Sequence, residues 1–168
     1  MIPHGAEEYI CRLVREYSAM LLKLACTRLP CVSDAEDTVQ EVFLKLLKNP
    51  VSFRDAGHEK AWLIRATLHR ASDIRRRAER RSLPLNEVLE AAAPESPTDL
   101  LQAVQSLPER YSAVIHLHYY EGYSIKEIGK LLGLPAATVG TRLARGRERL
   151  RKILKEESSW IGTITEKK

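Results

Sequence analysis

The chain has 168 residues, enough for one domain or two small ones, and 44% hydrophobic residues support a packed core. Its net charge of +5 is unevenly placed: residues 51–81 hold nine basic against four acidic side chains, residues 82–110 one against five, and residues 136–168 nine against four. Two basic blocks around an acidic spacer argue for a polyanionic partner touched twice, while three cysteines without paired spacing and the lack of a long apolar run exclude a disulfide framework and a membrane span.

Leu, Ala, Arg and Glu dominate and aromatics reach only 6%, so the expected fold class is all-α. Tyr9, Leu13, Tyr17, Met20, Leu21 and Leu24 recur at steps of three and four, which predicts an amphipathic helix over about 6–29, stopped near Pro30. Ser33 stands three residues before Glu36, the spacing of a capping box that would open a second helix. Val39, Val42, Phe43, Leu46 and Leu47 form its expected buried stripe, and Asn49-Pro50 ends it. After the loop "VSFRDAGHE" a third helix is expected over 59–80, with Trp62, Leu63, Ala66 and Ile74 inward.

Residues 82–99, "SLPLNEVLEAAAPESPTD", hold three prolines and little periodicity, and read as a flexible linker between two small helical domains. Helical pattern resumes at Leu100. Val104, Leu107, Tyr111, Val114, Ile115 and Leu117 predict one or two helices, with Pro108 at a break or a first turn.

"YSIKEIGKLLG" carries a second capping box, Ser124 with Glu127. Ile125, Ile128, Leu131 and Leu132 make an expected buried face, Gly129 allows close approach, and Gly133 supplies a left-handed helix end. Pro135 opens the next helix, where Val139, Leu143, Gly146 and Leu150 face inward and Thr138, Thr141, Arg142 and Arg145 face out. Cap, glycine, proline, stripe and basic second helix together predict a helix-turn-helix suited to the major groove, rather than a hairpin with a solvated basic face.

The first basic block puts Arg65, Arg70, Arg75, Arg76, Arg77, Arg80 and Arg81 on one helix with Trp62 and His69. Cations beside an aromatic suit single-stranded nucleic acid, whereas the Trp62 ring taken alone reads more readily as core. The preceding helix exposes Asp34, Glu36, Asp37, Gln40 and Glu41 at its start. Acids there favour the helix dipole, yet an acidic face repels DNA and suits a basic protein surface.

Three stretches, "DAEDTVQEVFLKLLKN", "AWLIRATLHRASDIRRRAERR" and "LPERYSAVIHLHYYEGYSIKEIGKLLGLPAATVGTRLARGRERLRKIL", resemble the extracytoplasmic-function (ECF) sigma factors of the sigma-70 family. The resemblance implies a region-two bundle over 1–81, a linker over 82–99, a region-four helix-turn-helix over 100–155 and a tail over 156–168. It implies docking on core RNA polymerase through Asp34, Asp37, Gln40 and Glu41. It places Phe53, Arg54, Trp62, Arg65, His69, Asp73 and Arg76 at the unwound minus-ten element. Thr138, Thr141, Arg142 and Arg145 would read the minus-thirty-five element, with Arg149 near the helix end on phosphates. Two departures fall near the expected base pocket: His69 where the family often has asparagine, and Ile64 where it often has an aromatic residue.

The expected partners are bacterial core RNA polymerase, promoter DNA in duplex and unwound form, and a candidate anti-sigma factor. No cofactor, metal ligand set or membrane insertion is expected. His116 and His118 lie two apart on a helix and face different ways, and no nucleophile elbow or phosphate loop is present. Catalysis is therefore assigned to the polymerase rather than to this chain. "MIPHGAEEY" lacks the features of a signal peptide, so the expected location is the cytoplasm. The competing reading is a helix-turn-helix regulator that acts without core polymerase, which leaves the acidic helix unexplained.

Overall fold

The computed structural model describes residues 4–81 and 99–165, and these fall into two compact units. Most of the proposed linker, residues 82–98, lies outside the described residues.

The first unit holds α1 (His4–Cys26), α2 (Val32–Lys48) and α3 (Ala56–Arg81), each packed on the other two. Leu13, Tyr17, Leu21 and Leu24 of α1 meet Val39, Val42, Phe43 and Leu46 of α2 and Leu63, Ile64 and Leu68 of α3 in one buried core. Each fully buried leucine contributes about 1.5–3 kcal/mol of transfer energy. Leu47 is only half-buried, as are Trp62, Ala66 and Ile74, so these expected core positions stand at its edge. Ile64 has no exposed surface at all and belongs to the core.

The Ser33–Glu36 capping box does not form. The helix begins earlier, at Val32, and Cys31 in extended conformation serves as N-cap without a side-chain bond. Ser33 thus stands within the first turn and Glu36 just beyond it, both exposed. The third helix also begins earlier than expected, because Asp55 caps it: its carboxylate accepts from the His58 amide at 2.7 Å. The first helix both starts and ends earlier than expected, and Thr27 and Arg28 form a turn, with the Thr27 hydroxyl donating to the Leu24 carbonyl at 2.7 Å. From this turn Arg28 donates to the Leu68 carbonyl at 3.0 Å and to the Ser72 hydroxyl, tying α1 to α3.

A buried carboxylate ties α1 to the start of α3. Glu59, 5% exposed, accepts from the Tyr9 hydroxyl at 2.6 Å and from Arg12 at 3.0 and 3.2 Å. Burial and then the hydrogen bond to Glu59 push the Tyr9 hydroxyl up to about 12. Burial and then Glu16 raise Tyr17 likewise to about 12. Both protons are held more tightly in the folded chain than in the unfolded one. Stability they contribute is therefore complete below the ordinary value of 10.0 and lost as pH rises through about 12. Urea unfolding followed across that alkaline window should show a falling midpoint, and Tyr9→Phe should flatten the fall.

The second unit holds α4 (Asp99–Ser106), α5 (Glu109–Ile115) continuing into a π-helical turn (His116–Tyr120), α6 (Ile125–Leu132) and α7 (Ala136–Thr165). Pro108 is the N-cap of α5, and its carbonyl accepts from the Tyr111 amide at 2.8 Å. The π turn was not legible in the sequence. Within it the His116 ring stacks on Tyr120 with centroids 5.0 Å apart, while His118 meets the Tyr123 carbonyl at 2.8 Å. The proposed tail does not begin at a helix end, since α7 runs on past residue 155 to Thr165.

The turn between α6 and α7 follows the sequence closely. Ser124 and Glu127 form a complete capping box. Gly133 takes φ 67° and closes α6 in the left-handed conformation. Gly129 sits where a Cβ would come within 2.7 Å of the Leu134 carbonyl oxygen, so the constraint is the turn backbone. Gly146 makes the close approach of α7 to α5, with a Cβ there placed 3.1 Å from Ile115. Ile128 and Leu131 are buried, as are Val139 and Leu143 of α7, but Ile125 is 37% exposed, against expectation. It is the first helical residue, and the burial begins one turn later.

Candidate nucleic-acid interface

Three surfaces hold most of the sequence-predicted site residues. On α2, Asp34, Asp37, Gln40 and Glu41 are all exposed, and the steps of three and four from 34 to 37 to 41 put the three acids on one face. Glu41 is not independent of the fold. Arg70 of α3 donates to both of its oxygens, one bond being 3.0 Å long, and this hydrogen bonding holds the carboxyl below the usual glutamate range. Asp34 and Asp37 are the acids that leave this face toward solvent.

The second surface is a groove of about 590 Å³ between α2 and α3. Trp62, Arg65, His69 and Asp73 line it from α3, since steps of three and four bring them to one face. Lys45, Lys48 and Asn49 line it from α2, and sequence reasoning did not single them out. Their signal was a pattern of basic residues in the last turn of α2, which a dipole argument alone explains. The half-buried Trp62 ring meets Phe53 edge-on with centroids 5.9 Å apart, and Phe53 meets His58 at 5.5 Å. Phe53 thereby reaches the groove only through Trp62, and His58 joins an aromatic cluster the sequence did not suggest. Arg54 is exposed in the loop and does not line the groove. Arg76 lies beyond it, 3.5 Å from Asp73.

The His69 side chain is 79% exposed, with Nδ1 3.7 Å from an Asp73 oxygen. This excludes a histidine packed between helices and leaves an imidazole available at the groove wall. Asp73 stands between two cationic or titratable groups, His69 and Arg76, four and three residues away.

The third surface is a hollow of about 380 Å³ at the start of α7. Thr138, Thr141, Arg142 and Arg145 line it. The Thr141 hydroxyl donates back to the Ala137 carbonyl at 3.0 Å, so its methyl group and oxygen lone pairs face outward. Arg149 stands apart from the hollow, its guanidinium 5.2 Å from the centre of the Tyr111 ring. Two lining residues, Arg110 and Tyr111, come from α5. Arg110 was missed because its charge lies outside both basic blocks and only the packing of α5 on α7 brings it there.

Two helical units, one with a groove lined by Trp62 and basic side chains and one with a basic second helix in a helix-turn-helix, define the class of a helical DNA-binding protein. Comparison with known proteins narrows this class. The family model "Sigma-70 region 2" matches residues 13–81 and "Sigma-70, region 4" matches residues 98–150. The chain is 30% identical to the ECF RNA polymerase sigma factor SigW of Bacillus subtilis, covering 92% of this chain and 94% of that protein. It is 33% identical to the ECF RNA polymerase sigma factor SigE of Mycolicibacterium smegmatis over 88% of this chain, and spans 62% of that relative. Among solved structures, CnrH in complex with the cytosolic domain of CnrY matches with a TM-score of 0.64 at 25% identity, covering 89% of this chain and 90% of that one. The sigma factor RpoE crystallised with the anti-sigma factor NepR from Bartonella quintana shares the fold, with a TM-score of 0.69 at 23% identity over 89% of this chain and 98% of that one. The chain belongs to the sigma-70 family, among its ECF RNA polymerase sigma factors. Its work is promoter recognition and transcription initiation together with RNA polymerase.

Proposed function

We propose that the three surfaces divide that work. The acidic face of α2, led by Asp34 and Asp37 with Gln40 and Glu41, docks on core RNA polymerase. The α2–α3 groove, with Trp62, Arg65, His69 and Asp73 and with Phe53, Arg54 and Arg76 around it, holds the unwound minus-ten strand. The hollow of α7, with Thr138, Thr141, Arg142 and Arg145, reads the duplex minus-thirty-five element, and Arg149 adds a phosphate contact. An anti-sigma factor belongs with the proposed partners. Bond-making chemistry stays with the polymerase, and the chain acts in the cytoplasm where that enzyme works.

The observation that carries this reading is the groove: cations on both walls and a half-buried indole at its edge suit a strand whose phosphates need charge and whose bases need a flat surface. The test is transcription in vitro with core polymerase from a promoter library varied at every minus-ten base. His69→Asn should change the base ranking, because an exposed imidazole and an amide present different donor and acceptor sets. An unchanged ranking for both His69→Asn and His69→Ala would remove His69 from the pocket. Transcription independent of the chain would refute the function itself.

Direct readout by α7 has its own measurement. Arg142→Ala should weaken holoenzyme binding by about 1–3 kcal/mol at one or two minus-thirty-five positions, the worth of a bidentate base contact. An equal loss on every duplex would reassign Arg142 to phosphate.

A further inference from the structure

The hollow of α7 contains more positive charge than the recognition helix supplies. Arg110 of α5 stacks its guanidinium over the Tyr111 ring at 4.8 Å, and Arg149 of α7 covers the same ring at 5.2 Å. Tyr111 itself is 3% exposed, so the ring is a fixed platform, while Arg110, Arg145 and Arg149 are exposed around it. Among the described residues, no carboxylate lines the hollow. The nearby Glu148 is directed to Lys152, 3.5 Å away.

Three guanidiniums gathered on one tyrosine repel one another, and an anion placed among them reverses the sign of that interaction. The Tyr111 hydroxyl registers the same field. Burial raises its pKa, and hydrogen bonding from Arg110 and Arg145 with the charge of Arg149 outweighs burial and lowers it. Stacking on the ring also limits the rotamers of Arg110 and Arg149, so less freedom is lost when they bind.

We infer that Arg110, with Arg149 beside it on the Tyr111 ring, forms a phosphate clamp that grips the DNA backbone beside the element read by α7. The inference rests on the proposed reading of the minus-thirty-five duplex and extends it to a second helix. Arg110 fixes the height and register of α7 on the duplex, and base choice stays with Arg142, Arg145 and the threonines. A phosphate contact positions without carrying sequence information. The clamp therefore affects all promoters alike.

The test uses holoenzyme assembled from the full chain and core polymerase, with fluorescent duplexes that carry a matched or base-substituted minus-thirty-five element, titrated over a series of salt concentrations. For Arg110→Gln the slope of log affinity against log salt should shrink by about 0.9, the value for one phosphate contact. The affinity ratio between matched and substituted duplexes should stay unchanged. Arg110→Lys should keep the slope, because it keeps the charge. An unchanged slope for Arg110→Gln overturns the clamp, and so does a changed affinity ratio, which would make Arg110 a reader of bases. A lowered melting temperature with loss of binding at every salt concentration in both variants would assign Arg110 to the fold and equally overturn it.

Arg142→Ala, run in parallel, separates the two claims. If it alters base preference while Arg110→Gln alters nothing, only the clamp fails; if neither alters anything, the reading of α7 fails. Inorganic phosphate added at constant ionic strength distinguishes the source of the anion. Equal displacement of DNA from wild type and Arg110→Gln supports the backbone of DNA as the ligand, and displacement from wild type alone would point to free phosphate and overturn the proposed ligand.

Discussion

Asp37→Lys is expected to separate the protein from core RNA polymerase while leaving its own fold intact. Asp37 is exposed on the acidic face of α2, and among the described residues its side chain makes no hydrogen bond or ion pair. Its neighbour Glu41 is a poorer probe, because Arg70 binds both of its oxygens and reversal there would set a lysine against an arginine within the fold. A reversed charge against a basic docking surface replaces an attraction by a repulsion, and like charges across an interface cost several kcal/mol. Core binding should fall by roughly 100-fold or more, and run-off transcription should fall with it at limiting protein concentration. Co-purification of the variant with core polymerase is the direct measurement, with circular dichroism as the check on the helices. Wild-type recovery of polymerase by Asp37→Lys would remove α2 from the docking role.

Gly129→Ala should injure the second unit and leave the first untouched. The added Cβ would lie 2.7 Å from the Leu134 carbonyl oxygen, a contact with backbone that no side-chain rotation relieves. The Leu134 amide also donates to the Gly129 carbonyl at 2.8 Å, so the clash falls on the turn that sets α7 against α6. Forcing one extra carbon into a packed site costs about 1–3 kcal/mol. The expected result is a lower melting temperature for the second unit and loss of minus-thirty-five binding, with core binding retained. Gly146→Ala is the milder comparison, since its Cβ would meet the Ile115 side chain at 3.1 Å, and that side chain can shift. Equal stability of Gly129→Ala and wild type would show that the turn accommodates the methyl group.

These two variants also show how unevenly the molecule was legible. Helix periodicity, the Ser124–Glu127 box and the left-handed Gly133 are local properties, set by residues within a few positions of each other, and the structure reproduces them. The Ser33–Glu36 spacing is equally local and did not form a cap. Cys31, still in the extended region, carried the N-cap two residues earlier, with its carbonyl accepting from the Ala35 amide at 3.2 Å. Composition named the all-α class for the same local reason: chains rich in good helix formers and poor in β-branched runs have a helical bias summed over many residues.

What the sequence by itself determined is the helical class, the helix-turn-helix, the two basic blocks and the family resemblance that ties them together. Tertiary structure alone decided which side chains share a surface. Ile64 lies next to the polar face of α3 in sequence yet points fully into the core, while His69 five residues on stands in solvent. The Glu41–Arg70 pair spans 29 positions, and the Tyr9–Glu59 bond spans 50. Arg110 reaches the hollow of α7 only because α5 packs across it at Gly146. Periodicity is a rotation about one helix axis and so tells which residues of a helix face alike. The meeting of two faces depends on how separate helices pack, and that is set by the shapes of whole cores rather than by any pattern along one segment.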